Sequence, residues 1–290
     1  MMRMFKSKVT ISEPAMNPSK TALSLLFSTA SAVLVAGSAQ AQLVTGIELG
    51  STAYRSNQQT SPQLFNRDSG TISGFKAFFG AQRNWESPGW IVGLAYQGGT
   101  VGHEAQTTQG ITVGSVSKVH LIDISANLHI PLTDVAGFTV SGAPRINYRS
   151  QSRSVQPNQV ITALKEDLSE GAVALGVTAH TLINQFGFKA TLELERSLFS
   201  QLTTQFSPLY AEAAFRPNGA WRPQLDIAGW YQWTPRHRFT LQARFEDLGT
   251  GKSEAVTVAP IFSNGPSIVA TSQGQKVRTS TLNAGWSYHF

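Results

Sequence analysis

From residue 43 to the carboxy terminus, apolar and polar side chains alternate with a period of two instead of recurring every three or four positions. "RFTLQARFE" sets Phe239, Leu241, Ala243 and Phe245 against Arg238, Thr240, Gln242, Arg244 and Glu246. "LIDISANLHI" sets Ile122, Ile124, Ala126, Leu128 and Ile130 against Leu121, Asp123, Ser125, Asn127 and His129. "FKATLELERSL" and "GFTVSGAPRINYR" repeat the pattern, with Phe188, Leu192, Leu194, Phe138, Val140, Ile146 and Tyr148 on the apolar sides. Successive side chains of a strand point to opposite faces, so each segment reads as a strand with one greasy and one polar face. The apolar faces carry no charge over about ten residues, the length of a tilted strand that crosses a bilayer.

The pattern predicts strands at roughly 43–54, 70–82, 89–99, 115–130, 137–149, 169–183, 187–199, 223–234, 237–249 and 276–290. Short connections ("NWESPG", "PLTDVAG", "INQFG", "TPRHR") alternate with long polar ones near 55–69, 98–114, 150–168, 200–222 and 250–275. Short turns at one end and long loops at the other are the layout of an up-and-down transmembrane barrel. The fold class expected is therefore all-β, a transmembrane antiparallel up-and-down β-barrel of ten strands. Twelve is the alternative, if "SPLYAEAAF" and the 250–275 segment also span. That last segment reads as a hairpin folded about Asn264-Gly265. A soluble sandwich also hides one face of each strand. It gives no reason for Trp85, Trp90, Phe138, Phe188, Trp233, Trp286 and Tyr288 to gather near the short turns, where a membrane interface does.

Composition adds two corrections. The stretch "MNPSKTALSLLFSTASAVLVAGSAQAQ" has a lysine, a short apolar core and a small-residue end, the layout of a secretory leader. Residues 1–41 are expected to be removed, with Ala39, Ala41 and Gln42 marking the cleavage site and Met16 the candidate start. Residues 42–290 then form the barrel domain. Losing the leader removes Arg3, Lys6, Lys8, Lys20 and Glu13, which leaves 19 basic and 16 acidic residues. No basic cluster suited to nucleic acid remains. The chain has no cysteine, so disulfides and thiolate metal sites are excluded.

The chain ends on "TLNAGWSYHF". Leu282, Trp286, Tyr288 and Phe290 lie on one face of that strand, and the final residue is aromatic. This resembles the carboxy-terminal signal of bacterial outer-membrane β-barrel proteins, which their insertion machinery reads. The resemblance implies an outer-membrane location, a surrounding of outer-membrane lipids and lipopolysaccharide, and passage through periplasmic chaperones and the barrel-assembly machinery. No function follows from it.

With apolar faces outward, the inward set is Glu48, Lys76, Asp123, Arg145, Arg149, Lys189, Glu193, Glu195, Asp226, Arg238, Arg244 and Glu246. Six acids and six bases predict ion pairs across a narrow lumen, because a selective pore shows one dominant sign. No catalytic, cofactor or metal residue is assigned. The His-x-Ser pattern of outer-membrane lipid hydrolases is missing at every histidine, and the Asp-Asp and Asp-His pairs of omptin-type proteases do not occur as neighbours. Glu193 and Glu195, about 7 Å apart on one face, read as acceptors for Arg or Lys. "EDLGTGKS" lacks the first glycine of a phosphate loop and reads as a turn. The functional expectation is a non-enzymatic barrel acting through its outer loops. A small porin-like channel for sugars, oligomers or ions and a lipid- or polymer-modifying hydrolase are the alternatives.

Overall fold

A computed structural model of the chain describes residues 42–61, 64–82, 87–106, 109–158, 164–205, 210–261, 267–272 and 274–290. Ala39 and Ala41, Trp85 and the Asn264-Gly265 turn lie outside them. The strands are β1 (Leu43–Ser61), β2 (Leu64–Ala81), β3 (Gly89–Gln106), β4 (Thr112–Val135), β5 (Phe138–Gly142), β6 (Arg145–Val155) and β7 (Leu164–Ile183). They continue as β8 (Phe186–Gln205), β9 (Ala213–Phe215), β10 (Trp221–Gln232), β11 (His237–Asp247), β12 (Ala255–Val258), β13 (Ile268–Thr271) and β14 (Lys276–His289).

Every neighbour pairs antiparallel, and β14 returns to β1, with His289 opposite Val44 and Lys276 opposite Asn57. β5 and β6 are one stave, interrupted at Ala143-Pro144 and held between β4 and β7 throughout. β9 and β10 are likewise one stave, both lying against β8. The described residues thus form a closed ring of ten staves. "SPLYAEAAF" supplies β9, an extension rather than a further crossing, because Ala213–Phe215 pairs only with Leu202–Thr204. Closure removes the sheet edge, which lipid does not tolerate.

The staves are longer than the membrane requires. Most of the segments read as loops at 55–69, 98–114, 150–168 and 200–205 are strand that continues beyond the apolar belt. Above the belt no lipid demands an oily outer face, so period-two patterning with polar exteriors hides the continuation. The 250–275 hairpin exists as β12–β13, but as a separate sheet. It packs through Val256, Val258, Ile268 and Ala270 on Leu168, Leu202 and Phe215 instead of lengthening β11 and β14.

Local chemistry explains the irregularities. The β4–β5 turn reverses in two residues, Ala136 and Gly137, at φ of 51° and 83°. Positive φ at both central positions matches the strand twist and suits glycine. A bulge between Pro131 and Thr133 falls where proline has no N–H to give the ladder. At Gly187 a Cβ would sit 2.0 Å from the Trp230 ring, so only glycine lets that indole lie across β8.

The outer surface is a belt of exposed apolar side chains, including Leu49, Phe75, Leu175 (72% exposed), Leu192, Leu241 and Leu282. At the end that carries Gln42, Phe290 and the tight turns, Trp233, His237, Trp286, Tyr288 and Phe290 form a chain of ring contacts. His237 stacks on Trp286 with centroids 5.7 Å apart, and Tyr288 meets Phe290 edge-on at 4.9 Å. Such a belt and girdle are what the bilayer interior and its interface select.

Leu241→Arg, near the middle of the belt, is expected to cost about 2–4 kcal/mol, and Thr100→Arg, towards the loop end, about 0–1 kcal/mol. Urea unfolding of the vesicle-reconstituted barrel checks the contrast; equal costs contradict the lipid-facing assignment.

Candidate functional site

Among the described residues, buried charge concentrates in the lumen. On β6 the inward positions read Arg145, Asn147, Arg149, Gln151 and Arg153, all buried, because every second residue of a straight strand faces the axis. β7, β8 and β10 answer with Glu166, Glu170, Glu193, Glu195 and Arg222. Glu195 is fully buried and takes three guanidinium groups: Arg145 at 3.0 Å, Arg149 at 3.5 Å and Arg222 at 2.7 Å. Arg145 also reaches Glu193 at 2.9 Å and donates to Gln224 Oε1 at 2.5 Å. Arg222 bridges to Glu170 at 2.7 Å, and Arg149 reaches Asp123 at 3.4 Å. The Glu193/Glu195 pair is thus occupied by arginines from neighbouring staves.

The other inward charges lie around this cluster. Lys76 meets Glu48 at 3.2 Å and Lys189 meets Asp226 at 3.4 Å, both nearer the turn end. Asp226 also accepts from Gln242 Nε2. Arg244 pairs with Glu246 at 3.0 Å, along its own strand rather than across the interior. The Arg238 guanidinium lies over the Trp230 ring at 5.3 Å.

Alternation alone did not reveal a second charged layer, because its residues fall in the segments read as loops. Asp68 accepts from His103 Nδ1 at 2.8 Å, Ser117 Oγ at 2.9 Å and Arg153 Nε at 2.5 Å. Arg153 also donates to Glu166 at 2.6 Å. Asp68 stands above the apolar belt. Burial pushes its carboxyl up, but the His103 hydrogen bond and the Arg153 charge outweigh it and hold the group below the usual carboxylate range. The Asp68–His103 pair forms across strands rather than along one, so sequence adjacency missed it. It is sealed: both residues are at most 3% exposed, and Arg153 and Ser117 take the remaining lone pairs.

Nor is the lumen uniformly polar. Tyr54, Ile72, Val101, Val119, Leu121, Leu248 and Val277 face inward and pack together at the loop-end half of β1–β4, β11 and β14. Side chains of non-adjacent staves also touch. Gln151 on the fifth stave donates to Tyr54 Oη on the first at 3.2 Å, and Arg153 on the fifth reaches Asp68 on the second. Small voids lie among these side chains. One of about 70 Å³ is lined by Lys76, Asp123, Arg149, Arg244 and Glu246. Another, of about 130 Å³, lies at the turn end among Glu48, Lys189, Arg238 and His289.

At the turn end Ser141 Oγ lies 3.2 Å from His129 Nε2, and His129 faces His180 at 5.8 Å. Ser141 is wholly buried, so no substrate carbonyl can approach its hydroxyl. Asp123 is committed to Arg149 and not to His129. Among the described residues no group of three or more His, Asp or Glu side chains is arranged to hold a metal.

Glu195→Gln keeps the volume but leaves three buried guanidinium groups short of a charge, and is expected to cost about 3–5 kcal/mol. Asp167→Asn, which breaks an exposed pair with Lys165, is expected to cost about 0–1 kcal/mol. The comparison is read from urea midpoints and from heat-modifiable gel migration.

No family model and no curated protein sequence matches the chain. Solved structures do. The outer membrane protease OmpT from Escherichia coli aligns with a TM-score of 0.62 at 10% identity, over 87% of this chain and 98% of that one. The outer membrane protein OprG from Pseudomonas aeruginosa aligns at 0.41 and 11% identity, over 87% and 97%. The translocator domain of the autotransporter NalP from Neisseria meningitidis aligns at 0.42 and 10% identity, over 94% and 98%. With the closed ring, the oily belt and the packed interior in place, the chain has the transmembrane fold of the bacterial outer-membrane β-barrel proteins.

Proposed function

We propose that this protein is a non-enzymatic, closed outer-membrane barrel whose work is done at its loop end, with the barrel serving as a rigid anchor. Residues 1–41 act as the export leader on this reading. The Leu282, Trp286, Tyr288 and Phe290 face is the segment presented to the insertion machinery, and the loop end faces outward. One observation carries the proposal: side chains of non-adjacent staves meet across the interior at two levels, at Tyr54–Gln151 and at Asp68–Arg153. Contacts across the interior narrow any water column, and most of the charges that would line it are paired with a neighbour.

Protease activity of the OmpT kind finds little support in this chain. The Asp68–His103 pair faces the axis, is buried and is locked by Arg153, so it cannot activate water against a peptide. A channel would require both the charge cluster and the apolar layer to part.

Planar bilayers containing the purified protein are expected to show no steady conductance. Deleting residues 254–271, which removes the β12–β13 hairpin, is expected to leave them silent, because the charged layer lies beneath it. A stable ohmic current from the intact protein overturns the closed-lumen reading.

A further inference from the structure

The inward charges differ in how far water reaches them. At the loop end the Arg153 and Asp68 side chains are 2% and 1% exposed. At the turn end Lys76 and Lys189 also point inward, yet their side chains are 27% and 25% exposed. The wall between staves is closed, so water reaches these two ammonium groups from the turn end. The space it enters is the cavity of about 130 Å³ there, with Gln82 and His289 at its rim. Ala228, set between Lys189 and Gln242 in register, is small and leaves room for it.

The lining of this cavity is unbalanced. It carries three cations, Lys76, Lys189 and Arg238, against one carboxylate, Glu48. Glu48 takes Lys76 at 3.2 Å, and Asp226, which is not in the lining, takes Lys189 at 3.4 Å. Three cations less two carboxylates leave one net positive charge. The Arg238 guanidinium is held against the Trp230 ring, and Arg238 stands opposite Ser287 in register. Two nitrogens of the rim, Gln82 Nε2 and His289 Nε2, are buried with no hydrogen-bond partner among the described residues. The first is a donor, and the second is one in the matching tautomer. Unmade bonds of this kind are costly, and an acceptor placed in the cavity would relieve both.

We propose that this cavity binds a small oxyanion of the phosphate class, admitted from the turn end. Its donors come from several sides: the Arg238 guanidinium, the Lys76 and Lys189 ammonium groups, the Gln82 amide and the Ser287 hydroxyl. Converging donors match an anion with several oxygens, two of which one guanidinium takes together. A halide offers a single centre and leaves most of them unused. The volume admits a phosphate-sized anion and excludes a nucleotide. A net positive charge walled by protein also attracts an anion more strongly than it would in open water. The inference rests on the inward facing of these residues and not on the closed lumen. A barrel that conducts yet still binds leaves it intact, and a silent barrel that does not bind overturns it alone.

The test uses the full chain in detergent micelles, with folding verified by heat-modifiable migration. Inorganic phosphate is titrated at constant ionic strength while the histidine ring proton–nitrogen signals are followed by NMR. His289 is the histidine of the lining, and His289→Gln assigns its signals. His120, hydrogen-bonded to Tyr96 on the outer face, is the internal reference. Saturable movement of the His289 signals is expected, with a midpoint on the order of 1 mM phosphate or below and chloride at least about ten-fold weaker. Arg238→Gln is expected to weaken binding about ten-fold or more, and Lys118→Gln, exposed towards the loop end, to leave it unchanged. Should Arg238→Gln fail to fold, Gln82→Glu serves in its place, because a carboxylate at the rim cancels the net charge and costs a similar factor. Static His289 signals, parallel movement of His120, an equal response to chloride, or undiminished binding in the cavity variants overturns the proposal.

Discussion

In a bilayer interior, a backbone N–H or C=O without a partner costs several kcal/mol, and no water is present to relieve it. The pairing of β14 with β1 is the consequence on which the rest of this structure depends. Fourteen residues of each strand lie in register, from Val44 opposite His289 to Asn57 opposite Lys276. Once the ring is closed, the two faces of every strand become inside and outside. Side-chain alternation then turns from a pattern into an address. A one-residue slip along this seam would put Glu48 in lipid and Leu49 in the lumen, so the register is enforced by both solvents at once.

Closure also sets the interior problem. Ten staves leave little more room than eight, where side chains already fill the space. Inward charges are therefore stripped of water and must find each other. The arginine ladder of β6 and the carboxylates of β7 and β8 do this through shared partners, with Glu195 serving three guanidinium groups and Arg149 reaching three acids. Such a network adds little net stability over an apolar filling, but breaking it is expensive. It thereby fixes which staves face which. The apolar cluster around Tyr54 and Val119 completes the seal by a different means, excluding water where no charge is offered.

The outer surface repeats the same logic with three layers of solvent: aromatics at one interface, aliphatics through the core, and cations at the other. Arg55, Arg67 and Lys276 gather on adjacent staves beside the Thr250–Lys252 loop.

Much of this was legible in the residues themselves. Period-two alternation with uncharged faces about ten residues long requires a lipid-facing strand, so the fold class, the ten crossings and the facing of Glu193, Glu195, Arg145 and Arg149 follow from local pattern alone. Where lipid stops dictating the outer face, the pattern loses its meaning. The strands therefore ran on unseen past Arg55, Gly99 and Arg149, and Asp68, Arg153, Glu166, Glu170 and Arg222 went unassigned. Partner choice was likewise beyond the sequence. Arg238 over Trp230, the Asp68–His103 contact, and Arg55 beside Arg278 are meetings of residues between 8 and 223 positions apart. Which side of the sheet a residue faces is a property of its own strand. Which residue it meets is decided only when the ring closes and the shear between staves is set.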